Sequence, residues 1–128
     1  MEGVVTNVVL ILGTNAVSRA ELAAYHHRWL LVDQSQQWQG NRWADKLGTI
    51  EIRVAHGNMT LRAPGMLRID IPMDVIEDDD SVVSSIEVAG QTVRVVDEGD
   101  LAATWFGNVV GEPCRLLKVH PDERLPKL

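Results

Sequence analysis

Two adjacent histidines and an arginine, His26-His27-Arg28, stand just before an apolar run, and a second polar pair, Asn41-Arg42, follows it. Guanidinium and imidazole together suit contact with an anion, one through a permanent charge and the other through a proton-dependent one. A metal centre is harder to build. Neighbouring positions on a strand diverge, so His26 and His27 would need His56 or His120 to complete a ligand set. Asp33, Asp45, Asp97 and Asp100 could be paired for acid–base work, but Asp97 and Asp100 precede a helical pattern and read as caps, and Asp33 reads as a turn residue. No Ser-His-Asp order, glycine-rich phosphate loop or zinc spacing occurs. The four-acid run at 77–80 lacks the glycine and distal glutamate of a calcium loop and reads as a solvated loop. Cys114, the single cysteine, sits in PCRLLKV, which excludes an intrachain disulfide and points to a buried, inert thiol. Tyr25, the only tyrosine, has no partner evident in the sequence.

The element that must position the histidines and arginines is the run Arg28–Asp33. Trp29 and Leu31 point one way and Leu30 and Val32 the other, so it reads as a central strand covered on both faces. Trp38 and Trp43 are expected to return towards Trp29 after a polar turn at Gln34–Gln37, giving a small β-rich core its bulk. Val4–Leu12 is rich in β-branched residues and reads as a strand. Val17–Ala24 is read as a loop followed by a strand entering near Glu21, the alternative being one helical turn capped by Ser18 with Glu21 three residues on. Ala44–Leu47 supplies a single helical turn at most. Thr49–Ala55 alternates strictly and returns through His56-Gly57-Asn58 to Met59–Ala63, a hairpin with Met59 and Leu61 inward. Leu67, Ile69 and Ile71 alternate next, and Pro72 ends that strand or bends it at an edge. Ser85–Val88 and Gln91–Val96 flank Ala89-Gly90 as a second hairpin. One helix follows, with Asp100 as N-cap and a core-facing stripe of Leu101, Trp105 and Val109 beside Ala102, Phe106 and Val110. Gly111 and Pro113 stop it, and Cys114–Val119 is the last strand. The count predicts a mostly β fold, a β-barrel or curled antiparallel sheet with one helix from the C-terminal half packed on it.

With 128 residues this is one domain's length, taken as 1–120 with a polar tail at 121–128. A net charge of −6 and a pI near 5.1 argue against a nucleic-acid or anionic-membrane binder, which needs excess Lys and Arg. The first apolar run is too short to span a bilayer and lacks a basic leader, so the cytoplasm is the default location.

Taken in register, RWLLVD (28–33), NRWADKL (41–47), MTLRAPGM (59–66) and VRVVDEGDLAATWFGNVVGEPCRLLKV (93–119) resemble the MOSC N-terminal β-barrel domain, the middle domain of molybdenum cofactor sulfurase. The resemblance covers essentially the whole chain. It implies that the first loop helps hold an anionic pyranopterin through a Lys-Ser pair, and here Asn15 and Ala16 stand in those places. Losing a charge-assisted partner there removes roughly 1.5–3 kcal/mol of grip. His26 and His27 stand where an acid and an arginine would be, with Arg28 one position along. The positions the resemblance assigns to ligand contact are therefore Asn15, His27, Arg28, Asn41 and Arg42, with stacking on a tryptophan as the structural alternative for Arg42. The cysteine that ligates molybdenum lies in a second domain in such proteins, so no catalytic residue carries over. The expectation is a stand-alone, non-catalytic binding or interaction module that binds no cofactor by itself. It would pair with a separately encoded MOSC-domain protein or with a second copy. The alternative is the accessory half of a split molybdenum-cofactor enzyme, contacting the pterin phosphate in oxygen- or sulfur-transfer chemistry.

Overall fold

The computed structural model describes residues 7–74 and 82–126. In chain order its elements are β1 (Asn7–Val8), β2 (Val17–Ser18), a 3-10 helix (Ala20–Tyr25), β3 (Trp29–Asp33), α1 (Ala44–Leu47), β4 (Glu51–Ala55), β5 (Asn58–Arg62), β6 (Ile69–Pro72), β7 (Val83–Val88), β8 (Gln91–Asp97), α2 (Asp100–Val110) and β9 (Cys114–Val119). The strands form three antiparallel sheets, ordered β1-β2, β3-β9-β8-β7 and β4-β5-β6. The fold is mostly β with one long helix, as the sequence predicts, and the sheets do not close into a barrel.

β3 organises the core because both its faces are apolar. Trp29 and Leu31 join Met59, Leu61, Trp105, Phe106 and Leu116 in a cluster between the large sheet, α2 and the β4-β5-β6 sheet. Leu30 and Val32 join Val93, Val95, Leu117 and Val119 in a second cluster on the other face. Each such side chain taken fully from water contributes about 1.5–3 kcal/mol before chain entropy is set against it. The outer edge of β3 is occupied. Ile11 bridges Trp29 in parallel and Trp38 bridges Val32 antiparallel. Trp43 joins the first cluster, whereas Trp38 packs on the second, so the three tryptophans do not converge on one centre.

Both hairpins form where turn chemistry placed them. His56 and Gly57 have φ of 53° and 77°, and Ala89 and Gly90 have 49° and 85°. These left-handed pairs match the twist of the flanking strands. Gly111 ends α2 at φ 79°, with its N–H donating to the Gly107 carbonyl. Gly13, at φ 99°, is required for a second reason: a Cβ there would lie 2.8 Å from Leu47 Cδ1.

Several expectations are corrected. Residues 20–25 form a 3-10 helix, with no strand entering at Glu21, and no side chain caps it, because Ser18 Oγ donates instead to Asn7. Among the described residues the ladder of the first strand covers Asn7–Val8 and stops there, because residues 9–12 turn to hydrogen-bond the start of β3, with Leu12 N–H to Trp29 O at 2.8 Å. Residues 4–6 of the expected strand lie outside the described residues. Asp100 is the first helical residue; Gly99 occupies the cap, and the Asp100 carboxylate goes to Arg115. The buried face of α2 runs through Ala102, Ala103, Trp105, Phe106 and Val110, as expected for four of these, but Leu101 of the expected stripe is 77% exposed and Val109 only half-buried. Leu67 is 88% exposed, because β6 begins only at Ile69. Within the expected tail at 121–128, Gln91 donates to Arg124 O and Leu125 packs on the second cluster, and just before it His120 N–H donates to Arg94 O. The acidic run at 77–80 lies outside the described residues.

Candidate functional site

Antiparallel register sets Trp29 opposite Lys118, so both side chains share the inner face of the large sheet. Lys118 is 5% exposed, and its ammonium lies 5.5 Å from the Trp29 ring centroid and donates to the Met73 carbonyl. Trp29 Nε1–H donates to Glu98 at 2.6 Å. Tyr25 stacks on Trp29 with ring centroids 6.2 Å apart, and its hydroxyl donates to Asp74. Burial pulls the Lys118 pKa down against the opposing pull of Glu98 and Asp74. Burial pushes the Glu98 carboxyl up, opposed by the Trp29 hydrogen bond and Lys118. The Asp74 hydrogen bond raises Tyr25. Neither Glu98 nor Lys118 stood out in the sequence; the available signal was a lysine at an inward position of an apolar strand.

Of the residues expected to contact a ligand, His27 and Arg28 meet in a pocket of ≈ 260 Å³ with His26 and Arg124 on its wall. His26 and His27 precede β3. With His27 at φ 54° their rings stack 3.9 Å apart and do not diverge as strand neighbours would. His26 Nδ1 accepts the Val9 N–H. Burial, then the neighbouring His26, lowers the His27 pKa, which favours the neutral ring. Arg28 donates to four carbonyls, those of Val119, His120, Glu123 and Ala24, and so ties the chain's C-terminal turn to β3.

Asn15, Asn41 and Arg42 lie elsewhere, at the two ends of α1. Asn15 Nδ2 donates to the Gly48 carbonyl at 2.8 Å, just beyond its C-terminus. Asn41 is exposed and its carbonyl accepts the Ala44 N–H at the other end. Arg42 forks onto both oxygens of Glu112, which also accepts Trp43 Nε1–H at 2.9 Å, and its guanidinium carbon lies 5.9 Å from the Trp43 ring centroid. The cement reading of Arg42 therefore describes its geometry. Of these positions, Asn15 is neutral and hydrogen-bonded, Arg42 is paired with Glu112, and Arg28 donates to backbone oxygens. Cys114 is buried and its thiol is pushed up to about 11, which leaves it protonated and unreactive.

Beside α2 lies an open groove of ≈ 840 Å³ lined by Gln34, Gln36, Thr104, Asn108 and Cys114 among others. Among the described residues no three His, Cys, Asp or Glu side chains converge as a metal site, and no helix is long and apolar enough to cross a membrane.

The family model for the MOSC N-terminal beta barrel domain matches residues 12–113. The chain belongs to the MOSC N-terminal beta barrel domain family. It is 28% identical over 101 residues to a molybdenum cofactor sulfurase of Danio rerio, a match over 77% of this chain and 12% of that much longer protein. It is also similar to a Bordetella bronchiseptica protein whose structure was solved in solution. That likeness has a TM-score of 0.77 and 46% identity, and covers 98% of each chain. The chain is thus related to one segment of the sulfurase, and its likeness to the Bordetella protein extends over nearly the whole of both.

Proposed function

We propose that this MOSC N-terminal domain is a stand-alone, non-catalytic binding module that holds no cofactor by itself. It pairs in the cytoplasm with a separately encoded MOSC-domain protein or with a second copy. One observation carries the reading: three of the five ligand-contact side chains are turned onto the chain's own groups, Asn15 on Gly48, Arg28 on four carbonyls and Arg42 on Glu112. A guanidinium already forked onto a carboxylate gains little from a second anion, because the new bond must replace an equally strong one. Co-expression with a tagged MOSC-domain protein, followed by size-exclusion chromatography and pterin analysis, tests it. A stable complex or a dimer, with no pterin on the chain purified alone, is the expected result. A monomer that forms no complex, or one that carries bound pterin, overturns it.

A second reading, an accessory half that contacts a pterin phosphate, draws on the pocket where His27, Arg28 and Arg124 gather. Protonation of His27 would add to the charge of Arg28 and Arg124, so binding in a phosphate titration followed by amide shifts at residues 26–28 would strengthen as pH falls from 7.5 to 6. No shifts at either pH would exclude it.

A further inference from the structure

Leu67 and Leu101 are 88% and 77% exposed, the highest values of any large apolar side chain among the described residues. Leu67 is held outwards by a fixed frame. The turn before it closes through Met66 N–H to Ala63 O at 3.0 Å, with Gly65 at φ 73°, and the Leu67 carbonyl accepts the indole N–H of buried Trp105 at 2.6 Å. With the backbone pinned on both sides, the side chain has no route back to the core. Leu101 projects from the outward side of α2, and the two leucines flank a hollow of ≈ 340 Å³ with Met66 and Trp105 in its wall. That space is ample for one leucine, methionine or phenylalanine side chain.

Thr104 and Asn108, both exposed, form the ridge of α2 shared by this hollow and the larger groove beyond it, where Gln34 and Gln36 stand. None of these four side chains makes a hydrogen bond to the described residues. The charged groups around them are already matched within the chain: Arg115 with Asp100 at 2.8 Å, Arg42 with Glu112, and Arg68 with Asp70 at 3.8 Å. A surface whose charges cancel and whose uncommitted groups are amides and a hydroxyl complements a peptide backbone, which brings one donor and one acceptor per residue. A phosphate would find no unmatched cation there, and a purely apolar ligand would strip water from the amides without replacing it.

We propose that the outer face of α2, with the turn ending at Leu67, docks an uncharged polypeptide segment of a partner protein. One apolar side chain of that segment enters the Leu67–Leu101 hollow while its backbone crosses the Thr104–Asn108 ridge. The inference rests on the reading of the chain as a binding module and names the surface and the chemistry of its partner.

Nitrogen-15 spectra of the whole chain test it, with N-acetyl-leucine methylamide as probe and N-acetyl-glycine methylamide and inorganic phosphate as controls. The leucine probe is expected to move the Trp105 indole signal and the amides of Leu67, Leu101, Thr104 and Asn108. The glycine probe should bind about tenfold more weakly, and phosphate should leave these signals unmoved. Leu67→Ser and Leu101→Ser, whose side chains face solvent, should each weaken the leucine probe while the rest of the spectrum stays native. Equal binding of the two amide probes, or variants that bind like the parent, overturns the proposal. So do concentration-dependent shifts of the same signals without probe, which would assign the face to self-association. If the probes fail while co-expression yields a stable complex, only this surface is rejected; if both fail, the binding-module reading falls with it.

Discussion

Changing Trp29 to phenylalanine removes one indole N–H from a carboxylate 2.6 Å away, and a double-mutant cycle with Glu98→Gln isolates what that bond contributes. A hydrogen bond to a charged group contributes about 1.5–3 kcal/mol and one between neutral groups about 0.5–1.5 kcal/mol. Since glutamine can still accept the indole N–H, the cycle reads the difference. Glu98 is half-buried, and solvent screening brings the expected coupling to about 1 kcal/mol. Urea unfolding of the four proteins at pH 7 measures it, and with a slope of about 1–3 kcal/mol/M the coupling appears as a displacement of roughly 0.3–1 M beyond additivity. The pH dependence supplies a second arm. Burial raises the Glu98 pKa, so the native state holds this proton more tightly than the unfolded chain does. The Glu98 contribution to stability therefore falls as pH rises from the ordinary glutamate range through the raised native value. Glu98→Gln, which does not titrate, gains on the parent over that interval, and the coupling to Trp29 fades below it as the carboxyl protonates. A coupling within about 0.3–0.5 kcal/mol of zero at pH 7, the usual scatter of additivity, would refute the assignment of Glu98 as a charged acceptor of the Trp29 N–H.

Three further outcomes follow from the same structure. Glu112→Ala leaves the indole N–H of buried Trp43 without its acceptor and should cost about 1–3 kcal/mol in urea unfolding, whereas Arg42→Ala, half exposed, should cost no more than about 1 kcal/mol; equal losses would contradict this ordering. Ala89→Gly relieves a left-handed alanine at φ 49° in the second hairpin and should raise stability by up to about 1–2 kcal/mol, seen as a higher melting temperature. Cys114, 5% exposed and with its thiol pushed up to about 11, should react with a thiol reagent at pH 8 only at the rate of unfolding, so that urea accelerates labelling steeply.

What the sequence by itself determined is what neighbours within a few residues dictate. Two-residue alternation placed β3 with both faces buried and set Met59 and Leu61 inward, and the glycines at 57, 90 and 111 marked two hairpin turns and a helix end through their freedom at positive φ. Burial of Cys114 followed from the apolar run around it. The resemblance gave the family on motifs spread along the chain. The tertiary structure alone decided the partners: Trp29 with Glu98 69 residues away, Arg42 with Glu112 70 away, Lys118 with Met73 45 away and Arg28 with His120 92 away. It also left Leu101 of the expected α2 stripe facing solvent, and held Leu67 out through an indole from another element. Periodicity records which side of a strand or helix is apolar. It carries no record of which polar group will lie opposite another once the sheets stack, and that pairing set Asn15 on the Gly48 carbonyl, Arg28 on backbone oxygens and Arg42 on Glu112.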